Sequence, residues 1–198
     1  MSRDSTDTRQ GWAVFALIII MIGLPVITAG GSFDVTPAMQ DVLDKQKLRV
    51  AAWATNPIVV KSVAEQNAKG PIAGMDNSKW KTIPYSDPIV LGFQTNAAAV
   101  VLKRNVEDSN GLVGEVFLSA ARGEKVAFAE KTSNYIHAGT PKFDVPFNTG
   151  KTWQGTPEFD ESSQVYSVQV SAPVVAAGKR IGVLVVGLKL SRLGKLHD

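Results

Sequence analysis

The sequence contains no cysteine. Disulfides and thiolate metal sites are therefore excluded, and any domain built from it must rest on its apolar core. Histidine is almost as scarce: His137 and His197 are the only two, and His197 lies in the C-terminal tail. There is no serine nucleophile elbow, no paired-histidine zinc helix and no phosphate-cradling glycine loop. His137 with Glu158, Asp160 and Glu161 shows no metal-ligand spacing. The expectation is a non-enzyme with no cofactor and no metal. Lysine and arginine never gather into a block, and the net charge is only +3. A nucleic-acid footprint is not expected.

What the chain does have is one long charge-free run, Gly11 to Gly31, "GWAVFALIIIMIGLPVITAGG". As a helix it would cross roughly 30 Å of hydrocarbon. Trp12 stands where an amphipathic ring suits the interface. A buried core helix is the rival reading; a run apolar on every face and placed at the terminus favours the span. A cleaved signal peptide would have a shorter apolar region, and Ile27 is large for its place before a cut at Gly30. The reading is a transmembrane anchor with its short tail over residues 1–31 and an exported domain over 32–198. Arg3 and Arg9 precede the run, whereas Lys45 is the first cation after it. Positive-inside bias puts the tail in the cytoplasm. The expected location is a membrane crossed once, with residues 32–198 outside the cytoplasm.

The exported part begins with helices. Thr36-Pro37 is a hydroxyl cap followed by proline in the first turn, and Asn56-Pro57 repeats the signal. A long helix should therefore bend or break near Asn56. A single turn is expected around Ser78 to Lys81, with Trp80 inward. Asp87-Pro88 should cap a third helix running to about Val106, with Ile89, Phe93, Ala97, Val100 and Val101 buried. From Leu112 the period changes to two. Val116 and Leu118 face one side; Glu115, Phe117 and Ser119 face the other. "AARG" is a turn in which Gly123 takes positive φ. Residues 130–163 show no clean period and read as a long loop, of the kind that often carries function. Two strands close the chain, Val165 to Val175 and Arg180 to Leu190. The last is apolar on both faces and should be central. The class is α+β.

The segments "GEVFLSAARGEKVAFAEKTSNY" and "PEFDESSQVYSVQVSAPVVAAGKRIGVLVVGLKL" resemble the Cache (PDC, PAS-like) sensor domains of bacterial histidine kinases and chemoreceptors. The resemblance runs from about Thr36 to Leu190. It implies a five-stranded antiparallel sheet backed by a long helix, with a ligand pocket between the sheet and the insert from Lys131 to Ser163. It also implies small charged metabolites as ligands, such as carboxylates or amino acids. The expected role is an input domain that reports occupancy to a separate signalling partner in the membrane.

Candidate site residues follow from chemistry and position. Tyr135 offers ring area and a directed hydroxyl, as a pocket wall or as cover for the core edge. Lys131 and Lys142 could clamp a carboxylate or lie in solvent. Gln169 and Ser171, with Phe117 and Ser119, occupy strand faces turned either to a pocket or to water. Asp160 reads as a turn residue or as a carboxylate for an amine. A basic wall points to a small anion. The rival reading is a Cache-like protein-interaction module whose pocket is filled by side chains. Met39 to Leu43, the early half of an apolar stripe, has little domain left to cover it, so a homodimer or a partner helix is expected there.

Overall fold

The structure is a computed structural model that describes residues 34–160 and 164–195. The charge-free run Gly11 to Gly31 lies outside the described residues, as do Glu161 to Ser163. Among the described residues, no helix is long and apolar enough to cross a membrane.

The helices begin where the cap signals place them. Thr36 Oγ1 accepts from the Met39 amide ahead of α1 (Pro37–Ala54), and Asn56 Oδ1 accepts from the Ile58 amide ahead of α2 (Pro57–Lys69). The long helix therefore breaks at Thr55 and Asn56. Each proline occupies a first-turn position, where its missing N–H costs nothing. Asp76 caps the short α3 (Asn77–Thr82), which buries Trp80 completely.

The third expected helix is two. Asp87 caps α4 (Pro88–Thr95), and Asn96 then takes an extended conformation, φ −67° and ψ 169°, to cap α5 (Ala97–Glu107) through the Ala99 amide. The break rotates the second segment. Its buried face is Ala98, Ala99 and Leu102, while Val100 is 53% exposed. A single helix through Val106 would have placed Val100 inward. A cap-competent Asn in mid-helix breaks the chain because its side chain satisfies the backbone amides of a new start.

The sheet is antiparallel, with β1 (Val113–Ala120), β2 (Lys125–Phe128), β5 (Val165–Ala176) and β6 (Lys179–Lys189) as its main strands. The order is β2-β1-β6-β5-β3, with β4 also paired to β5. β6 is central, as its two apolar faces require. Six strands replace the expected five, because the insert adds β3 (Trp153–Gln154) and β4 (Glu158–Asp160) to the free edge of β5. The insert also contains α6 (Pro141–Thr149), so the reading of 130–163 as a plain loop is corrected. Pro146 inside that helix and its short length hid it.

The two faces of the sheet carry separate cores. Val116, Leu118, Val170, Leu184 and Val186 pack under α1, α2 and α5. Phe117, Val183 and Val185 pack with Trp80, Phe128, Tyr135 and Phe143 under the insert. The early half of α1 is covered within the chain. Val42 and Leu43 are buried, and Met39 lies against Gly194 beside the terminal turn α7 (Leu190–Leu193). Lack of cover therefore gives no reason for a second copy there.

Gly182 sets how closely α2 approaches. A methyl at this position would run into the Ser119 carbonyl oxygen and lie 2.8 Å from Val63 Cγ1. Neither atom can move without opening the β1–β6 pair or lifting α2. Gly182→Ala should therefore destabilise the domain by about 1–3 kcal/mol. A melting temperature lowered by roughly 2–4 °C per kcal/mol is the expected result of a thermal scan.

Candidate functional site

The insert face of the sheet has an apolar half and a polar half. The apolar half lies over β2. Trp80 meets Phe128 and Tyr135 at ring-centroid distances of 6.0 and 5.6 Å, and Phe93 closes on the same group. Helix α3 pins the insert to this cluster. Asn77 Oδ1 accepts from the amides of Tyr135 and Ile136, its Nδ2 donates to the Ile136 carbonyl, and Trp80 Nε1 donates to the Thr132 carbonyl.

Two expected site residues belong to this half. Tyr135 is fully buried, and its hydroxyl accepts from the Ile72 amide at 2.9 Å. Of its two expected places, pocket wall or cover for the core edge, it occupies the core of this half. Lys131 donates to the Trp80 carbonyl at 3.1 Å and lies over the rings of Trp80 and Tyr85. Its ammonium is thus engaged within the fold rather than left in solvent.

The polar half lies over β1, β6 and β5. Register brings its members together. Glu115 is opposite Gly187, which is opposite Gln169. Phe117 is opposite Val185, which is opposite Ser171. Ser119 is opposite both Val183 and Lys125. Gly187 has no side chain between Glu115 and Gln169, so Gln169 Nε2 reaches Glu115 Oε2 at 3.3 Å. Lys125 Nζ stands 3.3 Å from the centre of the Phe117 ring, and the His137 ring lies 4.4 Å from that same ring. Phe117 is therefore the floor on which a lysine and a histidine converge.

His137 is placed by the β1–β2 turn. Gly123 has φ 84°, and any side chain there would strike the Ala138 amide. The turn and the insert can therefore touch, and the His137 amide donates to the Gly123 carbonyl at 2.9 Å. Thr140 then donates to the His137 carbonyl through both its amide and its hydroxyl. Helix α6 follows as a roof over β5 and β6, and the Arg180 guanidinium donates to the Phe147 carbonyl to fasten its far end. Lys142, in the first turn of α6, is half-buried and acts electrostatically on both Lys125 and His137.

Polar atoms in this half lack partners among the described residues. They are Ser119 Oγ, Lys125 Nζ, His137 Nδ1, Ser167 Oγ, Gln169 Oε1 and Ser171 Oγ, and all are buried. Buried polar atoms are satisfied in the great majority of cases, so a cluster of orphans calls for an explanation. Burial holds the Lys125 ammonium well below the ordinary lysine range. Glu115 opposes that shift and Lys142 adds to it. Burial, then Lys125 and Lys142, likewise hold His137 well below the usual imidazole range.

Among the expected site residues, Phe117, Ser119, Lys142, Gln169 and Ser171 gather here. Asp160 does not; it ends β4 opposite Val165, at the sheet edge. Glu115, Lys125 and His137 were not expected as binding residues. Among the described residues, no group of three potential metal ligands occurs.

No protein-family model matches the chain, and no curated protein resembles it closely enough to count as a relative. The solved structures it is similar to are PDC/Cache sensor domains of histidine kinases and chemoreceptors. The sensor domain of DcuS from E. coli matches at a TM-score of 0.51 with 14% identity, over 81% of this chain and 98% of that one. The sensory domain of the Campylobacter jejuni chemoreceptor Tlp3, with isoleucine bound, gives 0.44 at 16% identity, over 82% and 67%. The ligand-binding domain of the Pseudomonas aeruginosa chemoreceptor PctC, with GABA, gives 0.49 at 14% identity, over 80% and 60%. The likeness to DcuS establishes the fold.

Two predictions follow the site. Tyr135→Ala should cost about 3–5 kcal/mol, the range for emptying a buried aromatic position, and denaturant titration reads it directly. The second concerns pH. In the folded domain His137 stays neutral where the unfolded chain, near 6.5, is already protonated. The unfolded state therefore binds more protons below about pH 6.5, and stability falls as pH drops from there toward the folded value. His137→Gln should flatten that part of the stability–pH curve. Parallel curves for the two proteins would show that His137 titrates normally.

Proposed function

We propose that this chain is an extracytoplasmic sensor domain that binds a small carboxylate or amino-acid-like ligand between the sheet and the insert. It is anchored by the run Gly11 to Gly31 in a bacterial inner membrane, faces the periplasm, and passes occupancy to a separate membrane partner. The observation that carries the reading is the orphaned polar cluster around Phe117. Lys125, His137 and Lys142 supply donors and positive charge for an anion. Glu115, Gln169 and Ser171 supply acceptors for an amine or hydroxyl on the same ligand. An anion next to Lys125 offsets the burial that disfavours its ammonium.

The pocketless interaction module has one observation in its favour. The apolar half of the same face is filled by Trp80, Phe93, Phe128 and Tyr135. The orphaned groups lie beside that filling, around Phe117. A decayed site would have replaced a buried lysine and histidine by apolar residues, which is usually neutral or stabilising.

A thermal-shift screen of the detergent-solubilised full chain against small carboxylates, amino acids and amines tests this directly. A ligand at 100 times its dissociation constant stabilises by about 2.7 kcal/mol, or roughly 5–10 °C for a domain of this size. Lys125→Met separates function from fold. Burial is the largest influence on Lys125 and outweighs Glu115, so the variant should melt at a higher temperature than the parent. It should also bind tenfold to a hundredfold more weakly, for the loss of a charged hydrogen bond of about 1.5–3 kcal/mol. No shift with any compound, together with a stabilised Lys125→Met, would favour the interaction module.

A further inference from the structure

We infer that the end of the domain at which the chain enters from Gly31 carries a lipid-contacting surface, built on Phe159 and Tyr166. The inference rests on the anchor part of the proposal above and is independent of the ligand. Phe159 is 48% exposed and Tyr166 is 44% exposed, and their rings meet edge to face at 5.4 Å. Single exposed apolar residues are ordinary; an adjacent aromatic pair beside an apolar groove is not. The groove, of about 450 Å³, is lined by Asp34, Met39, Val165, Tyr166, Leu190 and Ser191.

The position of this groove selects its occupant. Asp34 lines it, and Asp34 follows the charge-free run by three residues. Three residues reach at most about 10 Å. If the run spans a bilayer, the groove and its aromatic pair are held within reach of the headgroup layer by covalent connection alone. Aromatic rings with one polar tip suit that layer, and Tyr166 has such a tip. The described charges at this end oppose one another: Asp34, Glu158 and Asp160 against Lys189, Arg192 and Lys195. Contact should therefore come from the aromatic pair and depend little on whether the lipid is anionic. The same contact would set the tilt of β5 against the membrane, and β5 carries Gln169 and Ser171 into the candidate site.

The absence of native cysteine allows a single label to report this. The full chain is reconstituted into phosphatidylcholine vesicles, and resistance to carbonate extraction checks the anchor first. Extraction by carbonate would remove the anchor reading and this inference with it, while leaving the ligand screen untouched. A nitroxide is then placed through Phe159→Cys and, separately, Tyr166→Cys. Val175→Cys is the control, 45% exposed and roughly 30 Å away along the same strand. At 159 and 166, collisions with oxygen should exceed those with a water-soluble nickel chelate, and at 175 the order should reverse. Adding phosphatidylserine should leave the result unchanged. Nickel accessibility at 159 and 166 equal to that at 175 would overturn the inference. Spin–spin broadening between copies at 159 would also overturn it, by assigning the patch to a second copy of the chain.

Discussion

The pairing of β1 with β6 is the constraint on which the rest depends. It lays residues 113–120 beside 182–188 and so closes everything between them into one loop. Once that pair exists, α1, α2 and α5 cover one face, where Gly182 admits α2 at near-contact, while α3 and α4 send Trp80, Val90 and Phe93 to the other. The insert between β2 and β5 completes that second face. It is thus not an appendage, and its own hydrogen bonds are found on α3, on the β1–β2 turn and on the edge of β5. Non-local closure of this kind is slow to form, and a sheet with its second face unprotected would expose Phe117, Val183 and Val185 until the insert docks.

That covering is made in two chemistries. Over β2, the insert contributes Tyr135 to a closed aromatic group around Trp80, and every polar atom named there has a partner. Over β1, β6 and β5, it contributes His137 and Lys142 to a group in which Ser119 Oγ, Lys125 Nζ, His137 Nδ1, Gln169 Oε1 and Ser171 Oγ have no hydrogen-bond partner among the described residues. The first half fixes the insert; the second half is what the insert is fixed over. Burial of Lys125 and His137 disfavours the charged form of each, and the closed aromatic group beside them is where the insert is packed.

Much of this was legible in the sequence. The caps at Thr36, Asn56 and Asp87 lie where their chemistry required, because each supplies an acceptor for amides that a helix start leaves unpaired. The alternation of Val116 and Leu118 against Phe117 and Ser119, and the central place of β6, follow from the two-residue period. Three features escaped. Asn96 was absorbed into a helical pattern that spans it. Helix α6 was obscured by Pro141, Pro146 and Gly150 within a few residues, signals that usually mark loops. Lys125 was hidden by a bulge. Register shifts between Leu118 and Ser119, so that Phe117 meets Phe128 while Ser119 meets Lys125. Strict alternation puts Lys125 and Phe128 on opposite faces, and the bulged Val126 brings them to the same one. No pattern of period two can show that in advance.

The bulge has a functional consequence beyond legibility. Without it, Lys125 would point to the helix side, where Val126 and Ala127 belong to the apolar core. With it, the ammonium rests on the face of Phe117, where the ring offers a cation weak electrostatic support but not a full partner. Glu115 supplies attraction along the same strand and Lys142 supplies repulsion from the roof, so burial remains the strongest influence. A lysine in this balance is poorly satisfied whichever way its proton goes. As an ammonium it lacks solvent, and as an amine it lies near a carboxylate. The irregularity in β2, and not the residue pattern, is thus what sets the surroundings of this lysine.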